Sequence, residues 1–409
     1  MRQIFQKWND ISLILRILGG LILGVILALA VPGQEWIAIF GELFVGALKA
    51  VAPVLVLVLV CSSLANAKGG HAKKFRSVIV LYLICTMSAA VLSVIMNFLF
   101  RVTIPLDGVA AAEDVEPPKG MAEVIGNLLR NVVANPIDAL MNANYLGILF
   151  WAVILGLALK AAGPGTKSLL SDLAGAISKI VRWIISFAPF GIMGLVFNAV
   201  STNGLEIFRD YGELVLLLVG TMLLVAFALN PLIVGIALRH NPYPLILRCI
   251  RTSGVTAFFT RSSAANIPVN MELCEDLGLD EDMYSVSIPL GATINMNGAA
   301  VTISTFTLVA AFTTGVHVTF PLAILLSIIA SLAACGASGV AGGSLLLIPM
   351  GCALFGIPVD IAMQMVGVGF IIGVIQDSME TALNSSGDAI FTATAEFREW
   401  KKEGRELPL

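Results

Sequence analysis

Apolar runs of membrane length recur from Ile11 to about Ala395, separated by short polar or basic loops. Such long, unbroken runs predict helices crossing a bilayer, whose hydrocarbon core takes about 20 apolar residues, and exclude a β-barrel, whose strands alternate. The first three spans are expected at Ile11 to Val31, Trp36 to Leu64 and Ser77 to Phe100. An acidic loop, Arg101 to Gly120, and a helical piece, Met121 to Ala134, then precede a short fourth span from Tyr145 to Lys160. Spans 5 and 6 are expected at Ser168 to Ser201 and Leu214 to Leu238. Lys68 to Arg76, Lys160 with Lys167, Arg239 to Arg251 and the tail from Arg398 to Arg405 all fall on one side, which predicts two cytoplasmic termini. The first run is too long for a signal core and leads into further spans, so it is read as an uncleaved span.

After Arg251 the pattern changes. Pro244 to Asp276 has apolar arms around a polar middle, Thr260-Arg261-Ser262-Ser263, which suggests a re-entrant helical hairpin with its tip near Ser262 and Ser263. Span 7, Tyr284 to Thr313, is interrupted at Asn295-Met296-Asn297-Gly298. Phe320 to Phe355 repeats the hairpin from the other face, with a glycine-rich tip at 336–343 and a second arm ending at Pro349. Span 8 follows, with Asn384-Ser385-Ser386-Gly387 answering the break in span 7. The expected fold is therefore an all-α polytopic membrane protein: eight transmembrane helices plus two re-entrant hairpins in an inverted repeat, whose site belongs where tips and broken helices meet.

Span 8 carries the candidate chemistry. Asp377, Glu380, Thr381, Asn384 and Asp388 stand at offsets 0, 3, 4, 7 and 11, one face of a helix, opposite Ile375, Met379, Ala382 and Leu383. Each acid costs roughly 2.5–3.5 kcal/mol at the centre of a membrane helix, so three on one stripe point to an ion or solute site more than to buried ion pairs. Asp388, with carbonyls around Asn295 and Asn384, suits a sodium ion; Asp377 suits an ammonium group, and the Ser262/Ser263 tip a carboxylate. Together they describe a zwitterion such as an amino acid.

Composition narrows the classes. The chain is 58% hydrophobic and 12% charged, with a net charge of -3, and shows no basic patch of the kind that binds nucleic acid. Its six cysteines form no CxxC or Cys/His cluster, so no zinc site or disulfide framework is expected. An intramembrane enzyme is disfavoured: Asp377 and Asp388 lie about 16 Å apart along one helix, too far to share a proton. The three histidines sit at span ends, leaving Ser262 and Ser263 without a base. A passive channel is disfavoured by two closed tips over one enclosed site.

Thr260-Arg261-Ser262-Ser263, Ile267-Pro268-Val269, Pro289 to Met296, the glycine tip, and Asp377 with Asn384 and Gly387-Asp388 resemble the sodium-coupled dicarboxylate and amino acid symporters, the glutamate transporter family, over essentially the whole chain. The resemblance implies a homotrimer in the bacterial inner membrane, surrounded by membrane lipid. Residues 1–76 and 121–210 would be scaffold; 77–120, holding span 3 and the outer loop, and 211–409 would form a unit that moves like an elevator. It implies sodium-coupled uptake of an amino acid, with Na+ as transported ion and no organic cofactor.

By matching position, Asp377 would hold the substrate ammonium, Asn384 and the Ser262/Ser263 tip its carboxylate, with Ala299 and Thr381 beside it and Gly339 and Val340 closing over it. One sodium would sit with Gly291, Asn295, Asn384 and Asp388, and another near Thr293, Met296, Ala334, Cys335 and Ala337. Glu380 stands where relatives that carry acidic amino acids have arginine, so a small neutral substrate such as serine or threonine is expected, with Glu380 accepting a hydroxyl hydrogen bond or pairing with Arg261. Alanine, a cationic amino acid, or exchange of neutral amino acids are the alternatives. Asn297 and Cys85 replace groups expected at a further sodium site, which argues against that ion.

Overall fold

The computed structural model describes residues 11–66, 72–106, 130, 132–335 and 342–408, and every regular element among them is helical. α1 (Leu13–Ala30), α2 (Glu35–Asn66) and α3 (Ala72–Leu99) match the first three predicted spans. The acidic loop and most of the Met121 to Ala134 piece lie outside the described residues. α4 (Pro136–Met141) starts where the Asn135 side chain accepts from the amides of Ile137 and Asp138, and α5 (Tyr145–Ala158) is a short apolar helix at the position expected for the fourth span.

Span 5 is two helices rather than one. α6 (Pro164–Ser186) and α7 (Ala188–Asn203) are divided at Phe187, because Pro189 has no N–H for a continuing ladder and sits instead in the first turn of the new helix. Span 6 is α8 (Ile207–Leu224) and α9 (Asn230–Leu238), joined by a π-helical turn over Val225–Leu229.

The Pro244 to Asp276 segment folds as the predicted helical hairpin. α10 (Tyr243–Cys249), a π turn at Ile250–Gly254 and α11 (Val255–Thr260) make its first arm, and α12 (Ile267–Asp276) the return. Span 7 breaks as expected: α13 (Glu281–Ile294) and α14 (Asn297–Thr313) are separated by Asn295 and Met296, whose ψ angles of 73° and 50° leave the helical range. α15 (Phe320–Ala334) opens the second apolar segment, whose tip at 336–341 lies outside the described residues. Pro349 does not end the return arm but opens its helix, α16 (Ile348–Leu354), for the same reason as Pro189.

Span 8 lacks the break expected to answer the one in span 7. α17 (Val359–Lys402) is one helix of 44 residues with no break at Asn384-Ser385-Ser386-Gly387. These residues are small and polar because neighbours press on them: a Cβ on Gly387 would meet Asn295 Nδ2 at 2.7 Å, and Ser385 Oγ accepts from Asn266 and Asn270 of the first hairpin.

Among the described residues five helical stretches are long and apolar enough to cross a membrane: Glu35–Asn66, Arg76–Leu99, Ala188–Leu238, Glu281–Thr313 and Val359–Lys402. Packing sorts the helices into two sets. α1, α2, α5, α6 and α7 pack on one another, with α2 and α7 so close that a Cβ on Gly194 would meet the Gly41 amide at 2.4 Å. α3 and α8 to α17 gather around α17 and α14. Every residue of α14 from Asn297 to Ala311 is buried, so the helix leading away from the break is surrounded by protein. The sets meet where Phe44 stacks edge-on against Phe370 at 5.1 Å and where Lys49 pairs with Asp360.

Candidate functional site

The stripe predicted on span 8 lies on one face of α17 and is buried: Asp377, Glu380, Thr381, Asn384 and Asp388 are all at most 7% exposed. The first hairpin, the α13–α14 break and the return arm of the second apolar segment converge on it.

Asp377 is held from two sides. Its Oδ2 accepts from Arg261 Nε at 2.7 Å, and its Oδ1 from the Gly342 amide at 3.1 Å. Arg261 sits at the hairpin tip with φ 52°, a left-handed conformation that costs a non-glycine residue energy and aims its guanidinium at the acid. Ser262 and Ser263 follow it: Ser263 is buried, and Ser262 Oγ accepts from the Ala265 amide. Thr381 Oγ1 donates to the Asp377 carbonyl. Arg261, Asp377 and Gly342 line a small cavity whose far wall is Ile17, Ile185 and Ala188, so this end of the site faces the other packing set.

Glu380 is not Arg261's partner. Its Oε2 accepts from Thr302 Oγ1 at 2.7 Å, Ser344 Oγ at 2.7 Å and Gln376 Nε2 at 2.6 Å. Three donors from three segments hold one oxygen, which is how a buried carboxylate is kept in place without a counter-ion. Ala299, fully buried, lies on α14 one turn before Thr302.

At the other end of the stripe the break in span 7 meets α17. Asn295 Nδ2 donates to Asp388 Oδ1 at 2.9 Å and to the Asn384 carbonyl at 3.2 Å, while Asn384 Oδ1 accepts from the Gly298 amide at 2.7 Å. Glycines make this approach possible. A Cβ on Gly291 would meet Asp388 Oδ1 at 2.7 Å, and one on Gly298 the Glu380 carbonyl at 2.8 Å. Asp388 Oδ2 and Asn295 Oδ1 are buried with no hydrogen-bond partner among the described residues. Unpaired buried oxygens on two side chains already joined to each other are what a hard monovalent cation satisfies.

Of the second predicted ion set, Thr293 Oγ1 donates to the Leu290 carbonyl, Met296 lies in the break, and Ala334 ends α15. Cys335 Sγ approaches the Ile294 carbonyl at 3.7 Å, which brings the end of α15 beside the break. Ala337, Gly339 and Val340 lie outside the described residues.

Several partners escaped sequence reasoning. Asn266 and Asn270 donate to Ser385, and Asn266 also to Ser253, a lattice that staples the hairpin to α17. Tyr82 Oη lies 2.9 Å from Thr392 Oγ1 and donates toward the Ser287 and Asp388 carbonyls at 3.2 Å. Gln376, one turn before Glu380 in an apolar run, was a visible signal; the asparagines of the hairpin gave none, since nothing local says what they face.

An all-helical bundle with long apolar helices, holding desolvated acids and unpaired oxygens at its centre, defines a multi-pass membrane carrier rather than an enzyme. The chain belongs to the sodium:dicarboxylate symporter family, whose model matches residues 13–396. Sodium is accordingly the coupled ion. Its relatives include proteins named serine/threonine transporter SstT: that of Bifidobacterium adolescentis is 59% identical over 409 residues, covering 100% of this chain and 95% of the relative. That of Streptococcus agalactiae serotype III is 56% identical, covering 97% and 98%, and that of Streptococcus thermophilus is 54% identical, covering 98% and 100%.

Proposed function

We propose that this chain carries serine and threonine into the bacterial cell by coupling their entry to sodium. The observation that carries the reading is the pair of opposite needs on one buried helix face: Asp377 already holds a cationic nitrogen, Arg261 Nε, and Asp388 keeps an oxygen with no partner among the described residues. An amino acid brings the ammonium for the first and sodium the charge for the second. The names of the relatives support the choice of serine and threonine.

In this reading the ammonium replaces Arg261 at Asp377, Asn384 and the Ser262/Ser263 tip receive the carboxylate, Ala299 and Thr381 flank the substrate, and Gly339 and Val340 close over it. Gly291, Asn295, Asn384 and Asp388 hold one sodium; Thr293, Met296, Ala334, Cys335 and Ala337 surround another. A further ion between Asn297 and Cys85 is disfavoured, because Asn297 Nδ2 donates to Cys85 Sγ and Cys85 in turn to Asn230 Oδ1, each at 3.1 Å, so neutral groups use that space among themselves. Eight spans and two re-entrant hairpins, both termini cytoplasmic, a homotrimeric assembly and an elevator movement of the α17-centred set against the α1–α2–α7 set complete the proposal. The separate packing of the two sets supports such a movement.

The test is labelled serine uptake into proteoliposomes under an imposed sodium gradient. Threonine should compete and aspartate and lysine should not; uptake indifferent to the gradient, or aspartate competing as well as threonine, would reject the reading. A cationic substrate is disfavoured because Glu380 Oε2 is already engaged by three donors. Glu380→Arg should cut serine uptake at least ~10-fold, since it sets a guanidinium against donors arranged for an anion. Unchanged serine kinetics would remove Glu380 from the substrate's surroundings.

A further inference from the structure

At the end of the bundle where α9 and α17 finish, a cavity of about 540 Å3 combines an apolar wall with a basic rim. The wall is Leu81 and Ile84 of α3 with Ile233 and Ile236 of α9. Ile84 and Ile236 are 47% and 70% exposed, which suits a face turned to lipid. The rim is Arg239, Arg398, Lys401 and Lys402.

These four cations are not equivalent. Lys401 Nζ donates to the Leu238 carbonyl at 2.7 Å and the Arg239 carbonyl at 3.4 Å, capping the negative end of α9. Lys402 pairs with Glu399 at 2.6 Å. The side chains of Arg239 and Arg398 are exposed and have no ion pair or hydrogen bond among the described residues. Arg239 is fixed in place all the same: it caps α9 in the left-handed conformation, φ 48°, with its amide donating to the Gly235 carbonyl at 2.7 Å.

We propose that this cavity binds an anionic phospholipid, its phosphate held by the forks of Arg239 and Arg398 and its acyl chains laid along Ile84 and Ile236. Guanidinium pairs bind phosphate through parallel N–H donors, and basic pockets between membrane helices at the boundary recognise anionic head groups. A soluble anion would satisfy the arginines and leave the isoleucines uncovered; a zwitterionic lipid would cover the isoleucines and set its own cation against the rim. The bound lipid would tie α3, α9 and the end of α17 together, ten residues and about 15 Å beyond Asp388 on the same helix. The inference uses the membrane setting and not the cargo, so it stands or falls apart from the transport reading.

The test is native mass spectrometry of the full-length protein released from nanodiscs of equal phosphatidylglycerol and phosphatidylcholine. Retention of phosphatidylglycerol over phosphatidylcholine by about 10-fold is expected, falling toward parity in the double variant Arg239→Gln/Arg398→Gln and kept in Arg239→Lys/Arg398→Lys. In the wild type 1 M salt should also erase much of the preference, by screening; this arm holds even if the glutamine pair fails to fold. Parity in the wild type, an undiminished preference in the folded glutamine pair, or displacement by millimolar glycerol phosphate would overturn the proposal, the last by making the site one for soluble anions. Exclusion of both lipids would also overturn it, by pointing to a second copy of the chain on this face.

Discussion

Asp388→Asn is expected to remove most of the sodium dependence of serine uptake while leaving the protein at least as stable as before. The substitution keeps shape and one hydrogen bond, because an asparagine carbonyl can still accept from Asn295 Nδ2, now 2.9 Å from the carboxylate. What it removes is the charge. A buried carboxylate oxygen without a partner is a cost to the fold, typically several kcal/mol for an ion taken out of water, so in the absence of sodium the neutral variant should melt at the same temperature or higher. Sodium stabilises whatever binds it by RT ln(1 + [L]/Kd), so the wild type should gain thermal stability as sodium is raised and the variant should gain little. The half-saturating sodium concentration for uptake should rise at least ~10-fold, the loss of about 1.4 kcal/mol or more of ion binding. A variant with an unaltered sodium response in both assays would mean that the ion sits elsewhere.

That site was half visible in the sequence, and the half that was hidden has a physical cause. Periodicity placed Asp377 and Asp388 on one helix face because 3.6-residue geometry is local, and two amides and a glycine at Asn295-Met296-Asn297-Gly298 forecast unwinding that does occur. The same vocabulary at Asn384-Ser385-Ser386-Gly387 misled. There the serines donate within their own helix or receive the hairpin's asparagines, and Gly387 admits Asn295, so the helix runs on. Small polar residues serve a break and a close approach equally well, and only the neighbouring segment distinguishes the two. Charge pairing was hidden for the same reason. Arg261 had two acids within reach on paper; that it takes Asp377 follows from Thr302 and Ser344, distant in sequence, having already engaged Glu380. The division of span 5 was missed, although Pro189, which opens the second helix, carried a local signal for it.

Arg261→Gln is expected to separate two measurements that the wild type keeps together. With Arg261 on Asp377 at 2.7 Å, and their side chains only 12% and 5% exposed, the carboxylate is neutralised by the protein's own cation. A substrate ammonium must displace it, and once bound performs the same neutralisation. A carrier that cycles must return empty, and without Arg261 it would return with a bare carboxylate. Intramembrane acids cost roughly 2.5–3.5 kcal/mol, which slows that step on the order of 100-fold. Net sodium-driven accumulation should therefore fall by about that factor, whereas exchange of external for internal serine, which never uses the empty form, should hold within a few-fold. The apparent affinity for serine should rise at the same time, because a tethered rival that occupies Asp377 reduces the competent fraction. Arg261→Lys, keeping the charge but not the Nε geometry, should fall between. Equal loss of exchange and net uptake in the glutamine variant would instead make Arg261 a contact of the bound substrate, and the neutralising role would be withdrawn.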